Sequence, residues 1–307
     1  MEKALQLVDL AESAGADAVK FQVFNTDKLI SMEAPDWKDR FREKELSYEQ
    51  FAEINDYCAS KGITFLATAH DYESLEFLQE LDLPAYKIGS GEIGNWSFIR
   101  KVLSLGKPVI FSTGMYSIED IDQAMKVAEE CANPDVVAMS CTTMYPCPPE
   151  MVKLQAINVI RERYGIVSGY SDHTSGFHFP VCAVALGAAV IEKHITLDYD
   201  VPNAQDWKVS CGAHDLPLMV SQIREIEKGL AAGGVEPSKD ELGNLKWARK
   251  SIVASRDIDA GALVEDGDVT TKRPGTGLQP YELKNVIGRT AKVAIKSDTL
   301  IKMEDLI

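Results

Sequence analysis

The sequence predicts an α/β chain: a TIM (β/α)8-type barrel with its first strand apparently missing, followed by a small C-terminal β-rich domain. Three observations predict it. Short apolar runs alternate with helix-patterned segments as far as about residue 235, with brief connections, and that alternation implies a parallel sheet. Run after run ends in polar or ionisable residues, as barrel strands do at the carboxyl-end face that carries active sites. After Gly233-Gly234-Val235-Glu236-Pro237-Ser238 the texture changes to short β-like runs separated by turn signals.

The elements follow in order. Leu5, Leu7, Val8, Leu10 and Ala11 form the apolar face of a helix that Gly15 stops. Ala18 to Phe24 reads as a buried strand, followed by an irregular stretch. Ser47-Tyr48-Glu49-Gln50 opens a helix to Ser60, ended by Gly62. Strands are expected at Ile63–Thr68, Ala85–Gly89, Pro108–Ser112, Val136–Ser140, Ile166–Ser168 and Val190–His194. Between them lie helices at Asp71–Leu81, Trp96–Leu105, Ser117–Glu130 and Lys153–Tyr164, then an Ala/Gly-rich one; a last helix runs from Leu216 to Ala231. The acidic first turn of Ser117–Glu130 suits the helix dipole. That makes seven strands, one short of a closed barrel, so the missing strand is expected before Met1. An open doubly wound sheet is the alternative, disfavoured by successive units without a Gly-rich dinucleotide loop. The boundaries are a barrel at 1–235, a linker at 236–250 and a small domain at 251–307, whose β-like runs are Ser251–Ala254, Val269–Thr270 and Ala291–Ile295.

Composition narrows the function. The 307 residues carry a formal net charge of −15 with no basic run, which excludes a nucleic-acid or anionic-membrane surface. An anionic small substrate therefore needs a locally basic pocket. No apolar stretch spans a bilayer, and Met1-Glu2-Lys3-Ala4-Leu5 begins in helical pattern without a signal peptide, so a cytoplasmic protein is expected. Six cysteines without CxxC spacing read as reduced thiols.

The strand ends carry the chemistry. Gly169-Tyr170-Ser171-Asp172-His173-Thr174 and Glu192-Lys193-His194 each read as strand, then histidine at the polar tip. On neighbouring parallel strands both imidazoles emerge at one rim, and neutral imidazole is the commonest transition-metal ligand. A single such histidine is more often a hydrogen-bonded rim residue; two at matching tips make a metal pair an even proposition. Lys20 and Gln22, Thr68, then Lys87, Ser90 and Glu92, then Ser112 and Thr113, then Thr142, Thr143 and Tyr145 follow at successive strand ends. Two lysines among hydroxyls and accessible glycines suit a phosphate or carboxylate. Singly, a strand lysine reads as a structural ion pair and a Ser or Thr as a cap.

Lys20-Phe21-Gln22, Lys87-Ile88-Gly89-Ser90-Gly91-Glu92, Ser112-Thr113-Gly114-Met115, Cys141-Thr142-Thr143-Met144-Tyr145-Pro146 and the two histidine motifs occur in this order. The ordered set resembles the sialic acid synthase (N-acetylneuraminate synthase) family. Lys272-Arg273-Pro274-Gly275-Thr276-Gly277 is similar to its C-terminal antifreeze-like SAF domain. The resemblance spans essentially the whole chain. It implies condensation of phosphoenolpyruvate with an N-acetylmannosamine-type sugar, giving a nine-carbon 2-keto sugar acid and phosphate. It implies a divalent ion, typically manganese with magnesium the alternative, on His173 and His194, and a domain-swapped homodimer. Lys20, Thr68, Lys87, Ser90 and Ser112 would hold phosphoenolpyruvate. Gln22, Glu92, Tyr145 and Asp206 would face the sugar or the reacting centre, Glu92 with a catalytic role, and Arg273 would reach the partner subunit's site.

Three departures stand out. The family's opening strand, with an active-site glutamate, has no counterpart here. Its Ser-Thr-Pro-Phe-Asp reads Ala67-Thr68-Ala69-His70-Asp71, where His70 reads as a local structural change. Its Gly-Pro-Asp-His segment reads Asn203-Ala204-Gln205-Asp206, which leaves the sugar open. His214 reads as a cap or surface residue. Two alternatives remain: a related synthase for legionaminic or pseudaminic acid or a surface-polysaccharide precursor, and a catalytically impaired carbohydrate-binding relative.

Overall fold

A computed structural model describes residues 1–202, 204 and 206–307; Asn203 and Gln205, part of the third departure, lie outside the described residues. Seven strands form one parallel sheet in chain order: β1 (Ala18–Val23), β2 (Thr64–Ala69), β3 (Tyr86–Ile88), β4 (Val109–Ser112), β5 (Val136–Cys141), β6 (Val167–Asp172) and β7 (Val190–Lys193). Each strand pairs with the next in sequence, and helical crossovers of one hand curl such a sheet steadily in one direction. The curl is visible in one contact: Lys20 on β1 lies 3.5 Å from Glu192 on β7, although these are the first and last strands. Among the described residues β1 pairs only with β2 and β7 only with β6. The architecture is thus a TIM-like barrel lacking one strand.

Alternation along the strands separates the core from the site. On β3, Tyr86 and Ile88 are buried in the apolar layer with Leu75, Leu78 and Phe98, while Lys87 between them belongs to the polar interior. Helix Tyr48–Lys61 begins at a capping box of Ser47 and Gln50 and ends at Gly62, whose φ of 74° is the left-handed region glycine tolerates. Helices Tyr72–Glu80, Trp96–Leu103, Ile118–Glu130, Ala156–Tyr164, His178–Ala185 and Asp215–Ala231 fill the other crossovers and the end of the barrel. The stretch after β1, expected to be irregular, contains two short helices, Thr26–Leu29 and Pro35–Arg42. Among the described residues no helix is long and apolar enough to cross a membrane.

The chain divides into two compact units, Met1–Ala232 and Gly233–Ile307. In the second, β8 (Ser251–Ala254) pairs antiparallel with β9 (Val269–Lys272) over a core that includes Ile252, Ile258, Val264, Val286 and Ile301. The expected run Ala291–Ile295 is not a strand. Its ends bridge different segments, Ala291 to Leu306 and Ile295 to Ile258, so no ladder of successive residues forms.

Candidate active site

Where β6 and β7 end, two imidazoles meet. The rings of His173 and His194 lie 5.3 Å apart, and the Tyr145 ring packs against both, at 4.0 and 5.9 Å. Gly169 permits the approach of the two strands: a Cβ there would fall 2.6 Å from the Val190 carbonyl oxygen. His173 donates from Nδ1 to the Thr142 carbonyl at 2.7 Å, since a carbonyl can only accept. That fixes the tautomer and leaves Nε2 with a free lone pair. Burial pushes both imidazoles below their ordinary range, His194 to about 4, so both are neutral near pH 7. Asp206, more than half exposed, stands 3.7 Å from His194 Nδ1.

A second cluster lies toward β1, β3 and β4. Lys87 is almost wholly buried and donates to Ser112 Oγ at 2.8 Å and to the Ile88 carbonyl at 3.0 Å. Glu192 lies 3.8 Å from Lys87 and 3.5 Å from Lys20, and accepts from Ser171 Oγ at 2.9 Å. Burial lowers Lys87 to about 8, more than Glu192 lifts it. Burial alone would raise the Glu192 carboxyl, but Lys20 and Lys87 outweigh it and hold Glu192 well below the usual carboxylate range. Two ammonium groups thus face one carboxylate and leave a net positive charge. A cavity of about 540 Å³ is lined by Lys20, Gln22, Lys87, Glu192, His194 and Asp206, among others, and so runs from the lysine cluster to His194.

The remaining expected residues fall variously. Thr68 is buried at the end of β2, in register with Lys87. Ser90 Oγ accepts from the Gly114 N–H at 3.0 Å, and only glycine allows it, because a Cβ there would meet Ser90 Oγ at 2.7 Å. Glu92 is set in the turn Ser90–Glu92, accepts from Asn95 at 2.7 Å, and is raised by burial. No described contact joins it to the histidines or the lysines. Arg273 belongs to the second unit, where its guanidinium lies 5.4 Å from the Trp247 ring. His214 precedes helix Asp215–Ala231 and makes no cap hydrogen bond; it lies 3.1 Å from Asp215.

The NeuB family model matches residues 7–234 and the SAF domain model residues 249–307. The chain belongs to the NeuB family. It is 36% identical to an N,N'-diacetyllegionaminic acid synthase of Campylobacter jejuni over 97% of this chain and 94% of that one. It is 33% identical to a pseudaminic acid synthase of the same species, over 99% and 92%. A crystal structure of N-acetylneuraminic acid synthetase from Leptospira borgpetersenii, in complex with citrate, superposes with a TM-score of 0.74 at 30% identity, covering 80% and 85%. These NeuB relatives are sugar-acid synthases, and this chain is a member of that enzyme family.

Three features of this NeuB-family site escape a motif reading. Glu192, between the lysines, had a signal: it stands two residues before His194, so strand alternation puts both on one face. Asp172 and Lys193 form a buried pair on the opposite face at 2.5 Å. His70, read as a local structural change, has Nε2 buried without a partner, and burial, then Lys20 and Lys87, lower it to about 4.

The donor set fits a divalent ion in part. Two neutral imidazoles with a carboxylate nearby suit a borderline or hard cation whose other positions are filled by water or substrate oxygens. Among the described residues no group of three or more His, Cys, Asp or Glu is placed to hold a metal ion, so the protein would supply two imidazoles at most.

Proposed function

We propose that this protein condenses phosphoenolpyruvate with an N-acetylated hexosamine, giving a nine-carbon 2-keto sugar acid and phosphate. One observation carries the reading: a net-positive lysine cluster and His194 line one cavity, and His194 is ring-to-ring with a second neutral imidazole, His173. Lys20 and Lys87, with Ser112, Ser90 and Thr68, bind the phosphate and carboxylate of phosphoenolpyruvate and fix its approach. Its C3 forms the new bond to the aldehyde carbon of the open-chain sugar. Water adds at C2, and the tetrahedral intermediate expels phosphate. His173 and His194 would hold a divalent ion, Mn2+ first and Mg2+ second, and the ion would supply Lewis-acid polarisation at the aldehyde. Tyr145 fixes the planes of both rings, and Gln22 and Asp206 bind the sugar. Glu92, whose carboxyl is raised by burial, handles a proton near the reacting centre. Arg273 serves the sugar site of a partner subunit in a domain-swapped homodimer; light scattering that gives a monomer at working concentration contradicts this.

The acceptor is open between mono- and di-N-acetylated sugars, and the 36% identity to a diacetyllegionaminic acid synthase favours including the second. Phosphate release from phosphoenolpyruvate, with and without Mn2+, across a panel of both sugar types tests the reading. Metal-dependent release with at least one sugar supports it. No release with any sugar, from a chain that binds phosphoenolpyruvate, leaves the carbohydrate-binding alternative.

A further inference from the structure

The two histidines are held from behind by a pair of buried charges on the far face of the sheet. β6 and β7 run in register with Ser171 opposite Glu192 and Asp172 opposite Lys193. Alternation sends the first pair inward, where Ser171 donates to Glu192, and the second pair to the far face of the sheet. There the side chains of Asp172 and Lys193 are 0% and 1% exposed, and Lys193 Nζ donates to Asp172 Oδ2 at 2.5 Å.

Every strong acceptor of Asp172 is used. Tyr170 donates its hydroxyl to Oδ1 at 2.8 Å, the Thr174 N–H donates to Oδ1 at 3.2 Å, and Thr174 Oγ1 donates to Oδ2 at 3.1 Å. Lys193 also donates to the Thr174 carbonyl at 2.7 Å. The carboxylate and the ammonium therefore grip residues 172 and 174 on either side of His173, and Lys193 immediately precedes His194. The backbone carbonyls of the histidines are tied too, His173 to Cys147 N–H at 2.7 Å and His194 to Cys211 N–H at 2.8 Å. A buried, fully hydrogen-bonded ion pair is a poor source of net stability compared with apolar packing, but it specifies geometry sharply, because removing either charge strands the other.

We propose that Asp172 and Lys193 are positioning residues that set the distance and relative tilt of His173 and His194, and so the affinity of the imidazole pair for a divalent cation. The inference rests on the metal reading of the site given above. In this reading neither side chain is itself a ligand of the metal or the substrate.

The test measures Mn2+ alone binding to the full-length protein by electron paramagnetic resonance, for wild type and Lys193→Met, beside calorimetric binding of phosphoenolpyruvate. The inference expects Mn2+ affinity to fall at least about tenfold while phosphoenolpyruvate affinity stays within about threefold, the size of loss seen when groups supporting metal ligands are removed. Unchanged Mn2+ affinity overturns it. Loss of both in parallel also overturns it, since a merely structural role would damage the lysine cluster as well. If Lys193→Met does not fold, Asp172→Asn, which keeps an oxygen for Thr174 N–H, is read by the same two outcomes. A wild-type protein that binds no Mn2+ refutes the metal reading itself, whereas a wild type that binds it beside an unaffected variant refutes only the positioning role.

Discussion

The histidine end and the lysine end of the cavity are both buried, yet burial does opposite things to their charge. At β6–β7, desolvation outweighs the pull of Asp206 and Glu192 and leaves His173 and His194 neutral, with lone pairs to offer. At β1, β3 and β7, Lys20, Lys87 and Glu192 sit close enough to hold one another charged. Mutual compensation decides whether a buried group keeps its charge. One cluster is thereby suited to a cation and the other to an anion, and one cavity joins the lysines to His194.

Breaking the compensation should give the largest effect. Lys87→Met removes an ammonium that sits 2.8 Å from Ser112, and we expect phosphoenolpyruvate affinity to drop about a hundredfold, about two charge-assisted hydrogen bonds' worth. Isothermal calorimetry reads it; a change below threefold would remove Lys87 from the anion site. Glu192→Gln tests the same contrast from the carboxylate's side. Lys87 loses the group that lifts it, so it falls further below its ordinary range and anion affinity at pH 7 drops, while the unliganded protein loses on the order of 3 kcal/mol in urea unfolding. Unchanged anion binding at pH 7 in this variant would contradict the compensation argument.

The pH profile follows from Lys87. Its ammonium faces Ser112, the Ile88 carbonyl, Glu192, Lys20 and Cys141, and its folded value is about 8. The protonated form binds an anion, so affinity is full below pH 8 and is lost as pH rises through it. From pH 7 to 9 the loss should approach about tenfold, and Lys87→Met should flatten it. A profile that falls instead toward acid would point to another group. The smallest expected change is at Glu92, which contacts Asn95 but neither cluster. Glu92→Gln should lower turnover about fivefold with little change in binding; unchanged turnover in the same buffer removes it from the chemistry.

Much of this arrangement was legible because strand ends are local. Ser112, His173 and His194 close apolar runs, Lys20 and Lys87 interrupt them, and parallel crossovers bring such positions to one interior. What was hidden needed information a local pattern does not hold. The Lys20–Glu192 contact depends on how far the whole sheet curls. The Asp172–Lys193 pair depends on the register of β6 against β7, which places two residues 21 apart side by side. Thr26–Leu29 and Pro35–Arg42 are too short to show an apolar stripe. Ala291–Ile295 looked like a strand because alternation reports burial on one side, whereas a ladder also needs one continuous partner.

The separation of the two ends is tested most directly by titrating Mn2+ and phosphoenolpyruvate into wild type and His194→Ala. The account predicts that His194→Ala loses more than about a hundredfold in Mn2+ affinity and keeps phosphoenolpyruvate affinity within about threefold. Equal Mn2+ binding by both proteins would contradict it.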